Sequence, residues 1–160
     1  MHIPSRPRSR RERAPDPEAT ARNLGLGVWS AGFAGLFGFI LFSPVLSLVA
    51  TLIVARFARR TAGRAAENAR IALNWQWTYL LVHAALLGLH GAMLLFVTAG
   101  TTTGPASVTA GLLLVPAIVN VGAALFGAIR AFEGGVFRFP LAIPFRRSAV
   151  EGRDDQVDPI

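Results

Sequence analysis

The stretch IALNWQWTYLLVHAALLGLHGAMLLFVTAGTTTGPASVTAGLLLVPAIVNVGAALFGAI, residues 71–129, decides the fold, because its 59 residues contain no Asp, Glu, Lys or Arg. An α-helix rises 1.5 Å per residue and needs roughly 20 residues to cross a hydrocarbon core of about 30 Å. The stretch is more than twice that length, so it predicts two membrane crossings. A second stretch without charges, residues 23–55, comes before it.

The composition limits what else the chain can be. It has 160 residues, 52% of them hydrophobic, and no cysteine. One unit of membrane helices is therefore expected, without a second folded domain, disulfides or cysteine-ligated metals. All 16 basic residues are arginine and the net charge is +7. Beside such apolar stretches, this charge predicts binding to an anionic membrane surface, not to nucleic acid.

The first apolar stretch, residues 24–55, would make a helix of about 48 Å. That length is too long for one straight span and short for two. Pro44 follows Ser43 in its middle, and proline disfavours a helical conformation in the residue before it. We predict a tight hairpin with helices at residues 24–42 and 45–60; one kinked span is the alternative.

The arginines favour the hairpin. Apart from Arg153, they fall into three groups, at residues 1–22, 56–70 and 130–147. Positive residues accumulate on the cytoplasmic side of membranes, and only a hairpin puts all three groups on one side. The predicted fold class is an all-α membrane protein with four transmembrane helices, the first two forming a short hairpin broken at proline. Both termini are expected to be cytoplasmic, in a bacterial inner (plasma) membrane.

The sequence predicts one folded domain between two disordered tails. Residues 1–22 are expected to form a disordered, arginine-rich cytoplasmic tail, because they hold four prolines and few apolar residues. Residues 23–147 form the four-helix membrane domain, and residues 148–160 form a disordered acidic tail.

Within the membrane domain, the third helix is expected to start near Arg64 and to cross the membrane from residue 72 to 98. Trp75, Trp77 and Tyr79 are predicted to mark its entry at the headgroup level. The fourth helix, residues 108–129, contains Pro116, which predicts a kink. Gly134 and Gly135 then end the helix, and an apolar segment with two prolines, residues 136–145, is expected to lie extended at the interface.

Polar side chains recur inside the predicted membrane helices. Gln76, His83 and His90 are seven residues apart and share a helix face with Tyr79, while Asn120 lies near the centre of the fourth helix. We expect His83 to meet Asn120 in a structural hydrogen bond between helices. Two alternatives stay open: a proton or solute path, and histidine ligation of a haem-like pigment or a metal.

The sequence shows no glycine-rich phosphate loop, paired carboxylates or nucleophile with a base, so we expect neither an enzyme nor a bound cofactor. The arginines beside the second helix are expected to attract anionic lipid headgroups. They are Arg56, Arg59, Arg60 and Arg64.

Two motifs resemble those of a known family. The first is ENARIALNWQ, residues 67–76, and its matching residues are Glu67, Ala72, Leu73, Asn74 and Gln76. The second follows the last helix and includes Gly134, Phe139 and Pro140. Together they resemble a bacterial family of small membrane proteins of unknown function. That family is similar to the Tic-twenty-like proteins, named for a chloroplast import component, and more distantly to small proteins of magnetosome membranes.

The resemblance implies a four-helix membrane fold. We expect a non-enzymatic accessory or assembly subunit of a membrane complex, with a membrane protein or a second copy as partner. A small channel or translocon-like component is one alternative. A pigment- or haem-binding subunit with His83 or His90 as ligand is another. Asn74 and Gln76 of the first motif are expected to hydrogen-bond the backbone of residues 134–140.

Overall fold

The computed structural model describes residues 16–61, 63–98 and 104–145, and this part of the chain is all-helical, without a β-strand. Its elements are α1 (Pro17–Ser30), a 3-10 segment (Ala31–Phe37), α2 (Phe39–Ala58), α3 (Arg64–Thr98), α4 (Gly104–Leu112) and α5 (Leu114–Phe132). An extended segment of residues 135–145 follows α5.

The first apolar stretch folds back on itself. The chain turns at Gly38, and α2 returns beside the 3-10 segment and α1. Gly35 lies against Ser43 and, further from the turn, Gly27 lies against Val54, which makes the two arms antiparallel. The chain folds back as a hairpin, as predicted, instead of forming one kinked span, while the crossing of a membrane by both arms stays a prediction.

The turn itself does not lie where it was predicted. Pro44 is in the second turn of α2 and is buried, so the predicted helices at residues 24–42 and 45–60 have the wrong limits. A Cβ atom on Gly38 would lie 3.0 Å from both the carbonyl carbon of Phe42 and the amide nitrogen of Ser43. Only glycine fits there without displacing the backbone of the first turn of α2. The arms themselves approach closely at Gly35, where a Cβ would lie 2.9 Å from the carbonyl oxygen of Ser43, and this packing outweighs the local preference of proline.

Helix α1 starts earlier than predicted. Asp16 caps it, because its Oδ1 accepts a hydrogen bond of 3.0 Å from the Glu18 amide, and Pro17 occupies the first helical position. Residues 17–22, predicted to be disordered, are therefore helical. Residues 1–15 and 146–160, on which the rest of the two tail predictions falls, lie outside the described residues.

The second apolar stretch forms α3 and then α4 and α5. α3 is one helix over the predicted length. The predicted fourth helix, residues 108–129, is interrupted at Leu113, and its last part continues to Phe132. Pro116 explains the interruption, because it has no N–H for the carbonyl of Leu112 and its ring crowds that carbonyl.

Gly134 ends α5 as predicted. Its φ of 78° is in the left-handed region that favours glycine. Its N–H donates to the carbonyl of Ala131 over 3.0 Å, and the Gly135 N–H donates to the carbonyl of Arg130 over 2.8 Å. These two bonds form a Schellman motif, which satisfies carbonyls at the helix end and releases the chain into the extended segment.

Small residues and aromatic rings form the core. The ring of Trp29 fills the space beside Gly127, where a Cβ would overlap the carbons of the indole ring. Trp75 and Tyr79, predicted to face the headgroups, are only 4% and 0% exposed and belong to the core, so that prediction is wrong for both. The small residues of α5 are likewise buried within the protomer: Ala123, Ala124, Gly127, Ala128 and Ala131.

Large apolar side chains cover the outside. They include Val49 and Ile53 of α2, Leu81 and Leu95 of α3, and Ile118 of α5, each exposed by 46–72%. Two helical stretches, Arg64–Leu95 and Ser107–Phe132, are long and apolar enough to cross a membrane, and the apolar part of α2, Phe42–Ala58, is shorter.

Candidate functional site

The strongest candidate site is a polar cluster at the level where α1 gives way to the 3-10 segment. Asn120 of α5 lies at its centre and is 2% exposed. Its Oδ1 accepts hydrogen bonds from Trp75 Nε1 at 2.9 Å and from Gln76 Nε2 at 3.1 Å. Its Nδ2 donates to the carbonyl of Gly32 at 3.3 Å. One amide thereby joins the first hairpin to α3 and α5.

A row of hydroxyl groups on α2 adds to this cluster. Ser43, Ser47 and Thr51 are four residues apart, so they share one helix face, and all three are buried. Ser47 Oγ donates to the Gly32 carbonyl over 2.8 Å, and Ser43 Oγ lies 2.9 Å from Tyr79 Oη. Sequence reasoning missed this row, although its spacing of four in an apolar helix was the available signal.

The predicted pair of His83 and Asn120 does not form. His83 packs edge-on against the ring of Tyr79, with centroids 5.8 Å apart, whereas Asn120 bonds Gln76. The reason is register, because Gln76 lies seven residues, or about 10 Å, closer to the start of α3 than His83. Asn120 does bond other elements of the bundle, but its partner on α3 is Gln76 and not His83.

His90 makes a separate contact. Its Nδ1 lies 2.9 Å from Thr109 Oγ1 of α4, in a half-buried position. His90 follows His83 by seven residues in α3, so the two rings lie about 10 Å apart along the helix axis. In the part of the chain that the structure describes, no group of three or more His, Cys, Asp or Glu side chains is placed to hold a metal ion.

Asn68 of the first family motif and Thr78, two residues after the motif, hold the extended segment. Asn68 Nδ2 donates to the Gly135 carbonyl at 3.1 Å, and the Ile143 amide donates to Thr78 Oγ1 at 2.9 Å. Gln76, predicted for this role, bonds Asn120 instead. Asn74 is buried and its carbonyl accepts a hydrogen bond from Thr78 Oγ1, while the contact of its side chain with residues 134–140 stays a prediction.

Aromatic contacts complete the attachment of the extended segment. The ring of Phe139 packs edge-on against Trp75 at 4.4 Å, and the ring of Phe137 packs edge-on against Trp29 at 5.5 Å. The Trp29 indole also donates to Asn68 Oδ1 at 3.1 Å. Of the other motif residues, Ala72 and Leu73 are buried in the core and Pro140 is exposed.

Charged residues gather at the end of the molecule where α3 begins. Arg64 Nη1 donates to the Gly134 carbonyl at 2.9 Å, and Glu67 lies 3.4 Å from Arg138. A cavity of about 420 Å³ opens there between the starts of α1 and α3 and the turn after α5. Arg56, Arg59 and Arg60, at the end of α2, are exposed on the same end, as the headgroup prediction requires. We call this region the arginine end.

Comparison with known proteins supports the resemblance to magnetosome proteins but not the resemblance to the Tic-twenty-like proteins. No curated protein and no solved structure matches the chain. The family model of magnetosome magnetite crystal formation proteins matches residues 26–146, while no comparison supports similarity to the Tic-twenty-like proteins. The match runs from α1 through the extended segment, so it includes Asn120 and both motifs. The match and the two apolar helices together support association with a membrane. The chain therefore belongs to the magnetosome magnetite crystal formation protein family.

Proposed function

We propose that this protein is a non-enzymatic, multi-pass membrane protein that takes part in magnetite crystal formation at the magnetosome, as an accessory component of a membrane complex. The observation that carries the proposal is the family match, because residues 26–146 include the polar cluster and the whole segment that closes over it. The hydrogen bonds of Asn120 and Asn68 join parts of the chain that are distant in sequence, which is typical of a rigid scaffold.

The proposed topology has four transmembrane segments: α1 with the 3-10 segment and α2 form a shorter pair whose turn lies within the leaflet opposite the arginine end, and α3 and α4 with α5 form a pair that extends further. Both termini lie on the cytoplasmic side of a bacterial membrane. The support is the grouping of Arg22, Arg64 and Arg138 at the arginine end, together with the rule that arginine accumulates on the cytoplasmic side.

The lipid bilayer is the proposed first partner. Arg56, Arg59 and Arg60 are exposed beside the apolar outer face of α2, in the position where a headgroup phosphate meets the protein. Each arginine near an anionic surface contributes about 1 kcal/mol. A second membrane protein or a second copy of the chain is the proposed partner in the complex.

Deletion of the gene in a magnetite-forming bacterium tests the proposal. We expect crystals of altered size or number, and recovery with the full-length protein but not with Asn120→Leu. A matched control, Gly122→Ala, changes a position with no atom within 4 Å of the new methyl and should restore crystals fully. Normal crystals in the deletion strain, with the tagged protein absent from the magnetosome fraction, would contradict the proposed function.

Two readouts on the purified protein separate the alternatives drawn from the sequence. Visible absorbance that His83→Ala or His90→Ala abolishes would favour the pigment- or haem-binding subunit. Voltage-driven conductance in planar bilayers would favour the channel. The accessory role predicts neither.

A further inference from the structure

The two helical hairpins have different lengths. A Cβ on Gly32 would lie 3.1 Å from Gln76 Nε2, so these residues are at the same level. The turn at Gly38 follows six residues later, and at about 2.0 Å per residue it lies about 12 Å further along the bundle. That distance corresponds to eight residues of α3. The first hairpin therefore ends near the level of residue 84.

The second hairpin continues well beyond that level. From residue 84 to Thr98, α3 extends about 21 Å further. There it packs against α4, as the contact between His90 and Thr109 shows. Gly88, Gly91 and Gly111 face open space at this level, because a Cβ at each would meet nothing within 4 Å.

The described residues thus form a tapered molecule. The arginine end holds α1, α2, α3, α5 and the extended segment, whereas the opposite end holds only α3 and α4. Apolar side chains are exposed along the whole taper, from Ile53 at the broad end to Leu95 and Val108 at the narrow end. Lipid hydrocarbon is the partner that such a surface fits at both ends.

We propose that this taper makes the protein a sensor of membrane curvature, with a strongly curved bilayer as its partner and the arginine end in the convex leaflet. In a curved bilayer the convex leaflet has more lateral room than the concave one, so an inclusion that is broad on the convex side disturbs lipid packing least. This inference rests on the proposed membrane-spanning function. It adds a preference for small vesicles over flat membrane.

The test is a single-vesicle measurement on the full-length protein. The fluorescently labelled protein is reconstituted into vesicles of about 40 to 200 nm diameter, and the protein signal per lipid signal is recorded against size. Protease access to an amino-terminal tag identifies the orientation. Molecules with the arginine end outside should be about threefold denser on the smallest vesicles, and molecules of the opposite orientation should prefer the largest.

Variants test whether the taper is the cause. The triple substitution Gly88→Phe, Gly91→Phe and Gly111→Phe widens the narrow end into open space, so the density ratio should fall towards one. Gly122→Phe adds the same side chain in equally open space at the level of the polar cluster and should leave the ratio unchanged or higher. Replacing helical glycine also raises helix propensity, so folding should be kept.

Equal density on all vesicle sizes in both orientations would overturn the inference while leaving the membrane function intact. So would a triple variant that keeps the full size preference. Failure to insert, seen as release of the protein by alkaline carbonate, would overturn the proposed membrane function and this inference with it.

Discussion

Asn120 shows how one side chain can hold a membrane bundle together. A polar amide in an apolar helix is unfavourable in lipid unless its donors and acceptors are satisfied within the protein. Here three groups from two other parts of the chain bond it: Trp75 and Gln76 of α3, and the carbonyl of Gly32. Its role is therefore to fix the rotation and height of α5 against the first hairpin.

Replacing Asn120 with leucine should destabilise the fold strongly. Asn120→Leu leaves the N–H groups of Trp75 and Gln76 buried without their acceptor, and we expect a loss of about 2 kcal/mol or more in the free energy of unfolding. Equilibrium unfolding in mixed micelles measures it. The comparison variant Thr109→Val removes one contact to half-buried His90 and should lose about 1 kcal/mol or less. Equal losses would contradict the central role of Asn120.

Gly127 tests the packing of Trp29. Gly127→Ala places a methyl inside the volume of the indole ring, so we expect a destabilisation of about 1 to 3 kcal/mol. Gly122→Ala lies on the same helix with no atom within 4 Å, and it should be neutral or stabilising because alanine favours helix. Thermal melts of the two variants in detergent make the comparison, and a lower melting temperature for Gly122→Ala would refute this packing.

At the scale of elements, the extended segment acts as a clasp along the first half of α3, from Asn68 to Thr78. Two hydrogen bonds fix its ends, at Gly135 and Ile143, and the rings of Phe137 and Phe139 pack onto indoles between them. Arg138 points outwards and its side chain is 83% exposed. Because the clasp forms no part of a helix, we expect it to open without unfolding of the helices.

Weakening the clasp should expose its backbone to protease. Phe139→Ala removes the ring against Trp75, and we expect trypsin to cleave after Arg138 about tenfold faster, which corresponds to about 1.4 kcal/mol of clasp stability. Glu133→Gln removes an exposed ion pair with Arg130 and should leave the rate unchanged. Cleavage at the same rate in Phe139→Ala and the unmodified protein would mean that the clasp is not held by this ring.

Local signals in the sequence predicted where the helices lie better than they predicted the contacts between the helices. Absence of charge identified α2, α3 and α5, while Pro116 and Gly134 located a break and an end, because each acts on its own backbone. The turn at Gly38 escaped prediction because it depends on contact between two arms. The partner of Asn120 escaped because register between helices depends on side chains far apart in sequence.

At the scale of the whole molecule, the charged surface and the apolar surface occupy different regions. The described arginines occupy one end, and apolar side chains cover the outer faces of α2, α3 and α5. This division matches a protein that contacts headgroups at one end and hydrocarbon along its length. The arginine end is also where the clasp and the cavity lie.

The exposed arginines should govern binding to anionic lipid. The triple variant Arg56→Gln, Arg59→Gln and Arg60→Gln should retain less anionic lipid on purification, with a loss of up to about 3 kcal/mol at low salt. Arg64 is left in place because it bonds Gly134. Native mass spectrometry with added phosphatidylglycerol measures retention, and high salt should reduce the difference. Unchanged retention would assign lipid binding to another surface.

Because the chain has no cysteine, single cysteines can report its topology directly. Glu18→Cys, Arg60→Cys and Glu133→Cys place thiols at the arginine end, and Ser107→Cys places one near the narrow end. In spheroplasts, an impermeant maleimide should label Ser107→Cys at once and the other three only after permeabilisation. Labelling of Glu18→Cys or Glu133→Cys from the same side as Ser107→Cys would contradict a four-segment protein with its arginine end in the cytoplasm.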